Sequence, residues 1–160
     1  MTCIKMAYSP IHPESSAVSR TDAFLCWSGR MAPLATRASL ALIFVWFGLL
    51  KIFGVSPAAE LVSRTFFFIP SRIVVPTLGL AEFVIGVCFI VRRLLPLGLV
   101  LLALHLPGTF LSFIVVPDMC FNHSIFLLTT DGEFILKNLL LISAALFLAG
   151  TRARDPLVRP

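Results

Sequence analysis

Four ionisable residues, Lys51, Glu82, His105 and Lys137, stand in four different long apolar stretches, at roughly 38–54, 74–91, 94–116 and 134–150. A carboxylate and an imidazole can exchange a proton, and an ammonium can hold an anion or pair with the carboxylate. A charge at the centre of a bilayer costs at least ~2.5–3.5 kcal/mol on insertion scales, so such residues are rare, face inward and usually mark function. One in every apolar stretch points to a small membrane bundle with a buried polar site.

The elements that must carry these residues follow from composition. The chain has 160 residues, 58% hydrophobic and 13% charged, with mean hydropathy +0.98. Soluble domains run near ~45–50% apolar and ~25% charged. Stretches of ~17–23 residues, at ~1.5 Å rise per residue, match a ~30 Å hydrocarbon core. In lipid every backbone amide must be bonded internally, so these segments are expected to be helices. The expected fold is an all-α bundle of four transmembrane helices over 34–150. A disordered cytoplasmic tail is expected over 1–33, with its Ser-rich patch at Ser15, Ser16 and Ser19, and a basic cytoplasmic tail over 151–160. Residues 58–70 are short, amphipathic and aromatic, and suit a helix lying on the outer membrane surface. The second membrane helix is expected to start near Pro76. Pro107 should kink the third near Ala103–Leu104. Pro117 to Glu133 reads as the longest loop, with Asp131-Gly132 as a turn before the fourth helix. Neither a signal peptide nor an internal repeat is evident, and Met31 reads as a plausible start.

The formal charge of +5 and pI near 9.5 do not indicate nucleic acid, because the basic residues form no patch with interleaved aromatics. They sit at membrane edges: Lys5, Arg20, Arg30 and Arg37, then Arg92 and Arg93, then Arg152, Arg154 and Arg159. The positive-inside rule places all of them in the cytoplasm if both termini are there. The four cysteines, Cys3, Cys26, Cys88 and Cys120, show no CxxC spacing. Only Cys120 falls on the outer side, so no internal disulfide is expected. Cys120 reads as an apolar filler, with a free thiol as the alternative.

Helical spacing puts each ionisable residue on a face. Phe44, Gly48 and Lys51 share one; so do Gly79, Glu82 and Gly86; Gly98, Leu102, His105, Thr109 and Ser112; and Lys137, Leu141 and Ala144, with Asn138 adjacent. Small neighbours let membrane helices approach closely. By rise per residue Glu82 lies ~12 Å and His105 ~16 Å below the outer surface, and the two lysines about one turn below it. Lys51 and Lys137 therefore form an outer cationic rim that either reaches toward Glu82 or simply snorkels to the headgroups. Glu82 is too deep to snorkel and needs a partner. It and His105 form the deep pair, whose alternative is a purely structural helix-helix link. A metal held by His105, Glu82, His123 and Asp118 lacks any HxxxH, ExxH or CxxC pair, and none is expected.

The run Phe44-Val45-Trp46-Phe47-Gly48-Leu49-Leu50-Lys51-Ile52-Phe53 resembles the first-helix signature of the DoxX-like superfamily, which includes the YkgB/RclC-type inner-membrane proteins. Leu104-His105-Leu106-Pro107-Gly108-Thr109-Phe110, followed by Pro117-Asp118, resembles its third-helix pattern, HxxGTF…LPE. Asp131-Gly132-Glu133-Phe134-Ile135-Leu136-Lys137-Asn138-Leu139 resembles EGxYIxKNL before helix four, and Glu82 fits the acidic residue of helix two. The resemblance spans about 37–150. It implies a multi-pass four-helix protein of the bacterial inner membrane. Some relatives look like subunits of thiosulfate:quinone oxidoreductases or partners of thiol-redox enzymes, and RclC-type members are linked to resistance to reactive chlorine, an oxidative stress.

Two functional expectations follow. In the first, the chain is a redox-linked membrane component, a subunit of a quinone-linked oxidoreductase if it is catalytic. Glu82 and His105 are its catalytic proton relay. Lys51, Lys137, Asn138, Trp46 and Asp118 bind ligand, and Trp46, Phe47 and Phe110 line a pocket for a quinone. Its partners would be the lipid bilayer, a membrane or outer-side redox protein and a second copy of the chain, with no nucleic acid. In the second, it is a non-catalytic scaffold, partner subunit or small transporter. No redox-active cysteine pair supports thiol exchange.

Overall fold

A computed structural model describes residues 20–122 and 124–153. The helices are α1 (Arg20–Ile52), α2 (Ala59–Thr65), α3 (Ser71–Ile90), α4 (Leu95–Phe110), α5 (Ser112–Val115), α6 (Pro117–Cys120), α7 (Thr130–Leu136) and α8 (Asn138–Ala153). A 3-10 turn, Arg92–Leu94, joins α3 to α4. Among the described residues four segments are long and apolar enough to cross a membrane: Asp22–Ile52, Ser71–Ile90, Arg92–Val115 and Thr130–Arg152. Large apolar side chains point outward along all four, with Leu42, Leu80, Leu104 and Leu140 all more than half exposed. Such a face suits hydrocarbon and would be a liability in water.

α1 begins at Arg20, so residues 20–33 are helical rather than a disordered tail. Asp22 lies in its first turn, where a carboxylate favours the helix dipole, and Pro33 sits inside the helix. The helix closes on a Schellman motif: Gly54 takes φ +73, Val55 N–H donates to Leu50 O at 3.0 Å and Gly54 N–H to Lys51 O at 3.2 Å. α3 likewise starts before the expected boundary, at Ser71, and carries Pro76 internally. α4 runs through Pro107 to Phe110, and Leu111, itself in helical conformation, leads into α5. The expected tail over 1–19, His123 and the last residues, 154–160, lie outside the described residues.

α1 and α3 form the most extensive helix pair. Their seam is made of glycine. A Cβ on Gly48 would meet the Phe83 backbone nitrogen at 2.6 Å, and one on Gly79 would meet the Lys51 Cβ at 2.7 Å. The backbones approach as only small residues allow. α4 and α8 complete the bundle around Leu40, Phe44, Ile85, Phe89, Leu102, Leu106 and Leu148.

The bundle is all-α as expected, and the segment read as the longest loop is ordered into short helices and a small hairpin. β1 (Phe121–Asn122) pairs antiparallel with β2 (Ser124–Leu128), Phe121 opposite Leu128 and Asn122 opposite Ser124, with a register irregularity between the two pairs. Thr129 fastens the end of this hairpin. Its N–H donates to Cys120 O at 3.0 Å, its hydroxyl donates to Met119 O and accepts from Gly132 N–H as the N-cap of α7. Asp131 and Gly132 therefore lie in the first turn of α7 rather than in a turn before it. Leu61, Val116, Cys120 and Ile135 form a second apolar cluster that joins α2, α6 and α7 into a cap over one end of the bundle.

Candidate functional site

Beneath this cap the polar residues converge. The glycine seam brings the last turn of α1 against the middle of α3, and Lys51 Nζ donates to Glu82 Oε1 at 2.8 Å and to Oε2 at 2.6 Å. From α4, His105 Nε2 stands 3.3 Å from Glu82 Oε1. The Lys51 and Glu82 side chains are 5% and 9% exposed and that of His105 is 10% exposed, so the ion pair is buried and only the imidazole keeps an edge toward the surface. Phe44 meets the His105 ring edge-on at 6.1 Å and helps fix its plane. One carboxylate is thus held between an ammonium and an imidazole contributed by three different helices.

A cavity of about 60 Å³ opens beside this cluster. Its walls include Thr109, Ser112 and Asn138, and its roof is Leu61 and Val62 of α2 with Ile135 of α7. Asn138 Nδ2 donates to Thr109 Oγ1 at 2.9 Å, and Thr109 donates to Leu106 O at 2.8 Å. A water needs ~10–15 Å³ of such volume and several polar partners, both of which this chamber supplies. It has room for a few waters or a very small molecule, well short of the ~300–1,000 Å³ of drug-sized pockets. A second chamber, about 50 Å³, lies on the other side of the same Lys51, Glu82, His105, Thr109 and Asn138.

His105 also borders a larger space. A groove of about 500 Å³ runs between α3 and α4 on the outer face of the bundle. Thr77, Leu80, Ala81, Val84, Ile85, Leu101 and Leu104 line it, and among the described residues His105 is its only ionisable lining residue. One imidazole therefore connects the buried carboxylate to the apolar surface.

The remaining candidates lie elsewhere. Lys51 is no rim residue: it is 4% exposed and belongs to the deep pair. Lys137 is exposed and sits between α7 and α8, away from the cluster. Asn138, one residue on and 100° around the helix, is buried in its place. Trp46 is 60% exposed on the outer surface of α1. Asp118 is exposed and pairs with Arg64 at 3.3 Å, outside the cavity. Trp46, Phe47 and Phe110 form no common pocket: Phe47 lines the inner chamber, Phe110 a groove between α4 and α8, and Trp46 faces away. Among the described residues no group of three His, Cys, Asp or Glu is placed to hold a metal ion.

Cys120 is fully buried, with its thiol 3.6 Å from Ser112 O. Burial, with Asp131 and Asp118 nearby, raises its pKa, which keeps it a thiol and a poor nucleophile. Thr65 is a residue that sequence reasoning missed. It is 2% exposed and shares a 2.9 Å hydrogen bond with Ser112, tying α2 to α5. Reading 58–70 as a surface helix hid it; the spacing of Leu61 and Thr65, one turn apart, was the available signal.

No protein-family profile, curated protein or solved structure matches this chain.

Proposed function

We propose that the chain is a redox-linked, DoxX-like protein of the bacterial inner membrane, in which Lys51, Glu82 and His105 handle protons for a quinone that reaches His105 from the lipid. The observation that carries this reading is the double position of His105, 3.3 Å from Glu82 and on the lining of the groove between α3 and α4. A quinone ring and its isoprenoid tail suit an apolar groove of about 500 Å³. A quinone carbonyl accepts a hydrogen bond from an imidazole N–H, and Glu82 behind the ring can return the proton, with Lys51 balancing the carboxylate charge. The quinone belongs in the groove and not in the 60 Å³ chamber, which suits water. The positive-inside rule supports this orientation: Arg30, Arg37, Arg92, Arg93 and Arg152 gather at the end of the bundle remote from the cap. Both termini then face the cytoplasm, and α2 lies at the outer interface with Phe67 and Phe68, 78% and 67% exposed, directed to the headgroup region.

Calorimetric titration of the detergent-solubilised protein with a short-chain ubiquinone analogue tests this. Saturable binding is expected, weakened about tenfold in His105→Ala, the equivalent of one lost hydrogen bond of ~1.4 kcal/mol. Binding unchanged in both His105→Ala and Glu82→Gln would refute it.

A second reading has its own support. Lys51, Glu82 and His105 join α1, α3 and α4, so the cluster is also a structural staple for a scaffold, partner subunit or small transporter. In that case the same variants lose stability, and neither they nor the wild type binds the quinone analogue.

A further inference from the structure

At the end of the bundle opposite the cap, arginines from three separate elements converge. Arg30 and Arg37 of α1, Arg92 of the 3-10 turn and Arg152 near the end of α8 line one groove of about 340 Å³. Thr151 adds a hydroxyl, and Pro33, Leu34, Leu95 and Leu148 make the apolar part of its wall. Among the described residues its charged lining is all arginine. Arg152 Nη1 donates to Arg92 O at 3.1 Å, which ties α8 to the turn and fixes one guanidinium at the groove.

The groove also stands at a particular level. α3 spans 20 residues and ends at Ile90, which at 1.5 Å per residue is about 30 Å, one hydrocarbon thickness. Arg92 follows at once. On α1, Arg37 stands about 23 Å and Arg30 about 33 Å from the helix end at Ile52. Arg92 and Arg30 fall where headgroups meet hydrocarbon, and Arg37, about two turns deeper than Arg30, can snorkel to that level. The positive-inside rule accounts for arginines at this depth but not for their convergence from α1, the turn and α8 on one cleft with an apolar wall.

We infer that this cleft is a binding site for the headgroup of an anionic glycerophospholipid. The phosphodiester would accept charge-assisted hydrogen bonds from Arg30, Arg37 and Arg152, whose planar donors match phosphate oxygens. The acyl chains would run along Leu34, Leu95 and Leu148. The guanidiniums of Arg30, Arg37 and Arg152 at one cleft favour headgroups of net negative charge over those that carry their own ammonium, so phosphatidylglycerol and cardiolipin are favoured over phosphatidylcholine. A lipid held here would clamp α1 to α8 at the end of the seam where Leu40 and Leu148 already pack in one core. The inference does not depend on quinone binding, since the groove shares no residue with the Lys51–Glu82–His105 cluster.

Native mass spectrometry of the full chain in detergent, titrated with phosphatidylglycerol, cardiolipin, phosphatidylcholine or inorganic phosphate, tests it. Adducts with the two anionic lipids are expected at concentrations about tenfold below those needed for phosphatidylcholine. That preference should be lost in Arg37→Gln/Arg152→Gln and in Arg30→Gln/Arg37→Gln, and kept in Arg93→Gln, whose side chain does not line the groove. Two double variants at half-buried or exposed positions guard against a failure to fold in either one. Equal adducts with phosphatidylcholine, a preference retained in the double variants, or displacement of the lipid by inorganic phosphate would overturn the assignment, the last by showing a site for a soluble anion.

Discussion

Replacing Lys51 by methionine is expected to lower stability by about 3–5 kcal/mol, the cost of removing one partner from a buried ion pair. The ammonium donates to both Glu82 oxygens, at 2.8 and 2.6 Å, in a site less than a tenth exposed. Without it the carboxylate keeps only His105, at 3.3 Å, and must be buried poorly compensated or take up a proton. Glu82→Gln is expected to be costly for the mirror reason, since it leaves the ammonium facing an amide. The double variant Lys51→Met/Glu82→Gln removes both charges and should be markedly more stable than the sum of the single losses implies, because neither partner is stranded. Denaturant unfolding in micelles, followed by far-ultraviolet circular dichroism, measures the cycle. Small, additive single effects would mean that the pair is not formed.

Gly79→Ala is expected to destabilise by about 1–3 kcal/mol, as overpacking does where neighbours cannot move. Its new methyl would lie 2.7 Å from the Lys51 Cβ and 2.8 Å from the Gly48 carbonyl oxygen. Neither is the far end of a flexible chain, so α1 and α3 must separate. Lys51 and Glu82 separate with them, which makes this variant a route to losing the site without touching an ionisable group. Gly150→Ala provides the contrast. Nothing lies within 4 Å of a Cβ there, and in helical α8 alanine is favoured over glycine by up to ~1 kcal/mol. Thermal melting of the two variants should move in opposite directions; a Gly79→Ala protein that melts like the wild type would mean the seam is looser than described.

Much of this was legible in the residues. The four apolar stretches, the glycines one turn from Lys51 and Glu82, and the alignment of His105 with Thr109 and Ser112 each follow from a 3.6-residue period. The errors arose where that period was read too coarsely. Lys137 and Asn138 are neighbours 100° apart on a helix, so only one can face inward. Asn138, Leu141, Ala145 and Leu148 repeat at the inward spacing, with Asn138 and Leu148 buried and the other two packed on the core. Trp46 is two residues from buried Phe44, which sends it to the far side of α1. The extension of α1 back to Arg20 was obscured by its polar composition. That part of the helix projects beyond one hydrocarbon thickness, since 33 residues rise about 50 Å. The hairpin and cap depend on non-local bonds, from Thr129 to Met119 and Cys120 and from Thr65 to Ser112, which no periodicity announces.

The central claim is that His105 links a buried carboxylate to a groove open to lipid. Photolabelling with an azido-quinone, followed by peptide mapping, tests it most directly. Label is expected on the facing segments of α3 and α4 that line this groove, around Thr77–Val84 and Leu101–His105, and should be competed by unlabelled quinone. Competable label confined to the groove between α4 and α8, around Ala145–Ala149, or uncompeted label spread over every outward face, would contradict it.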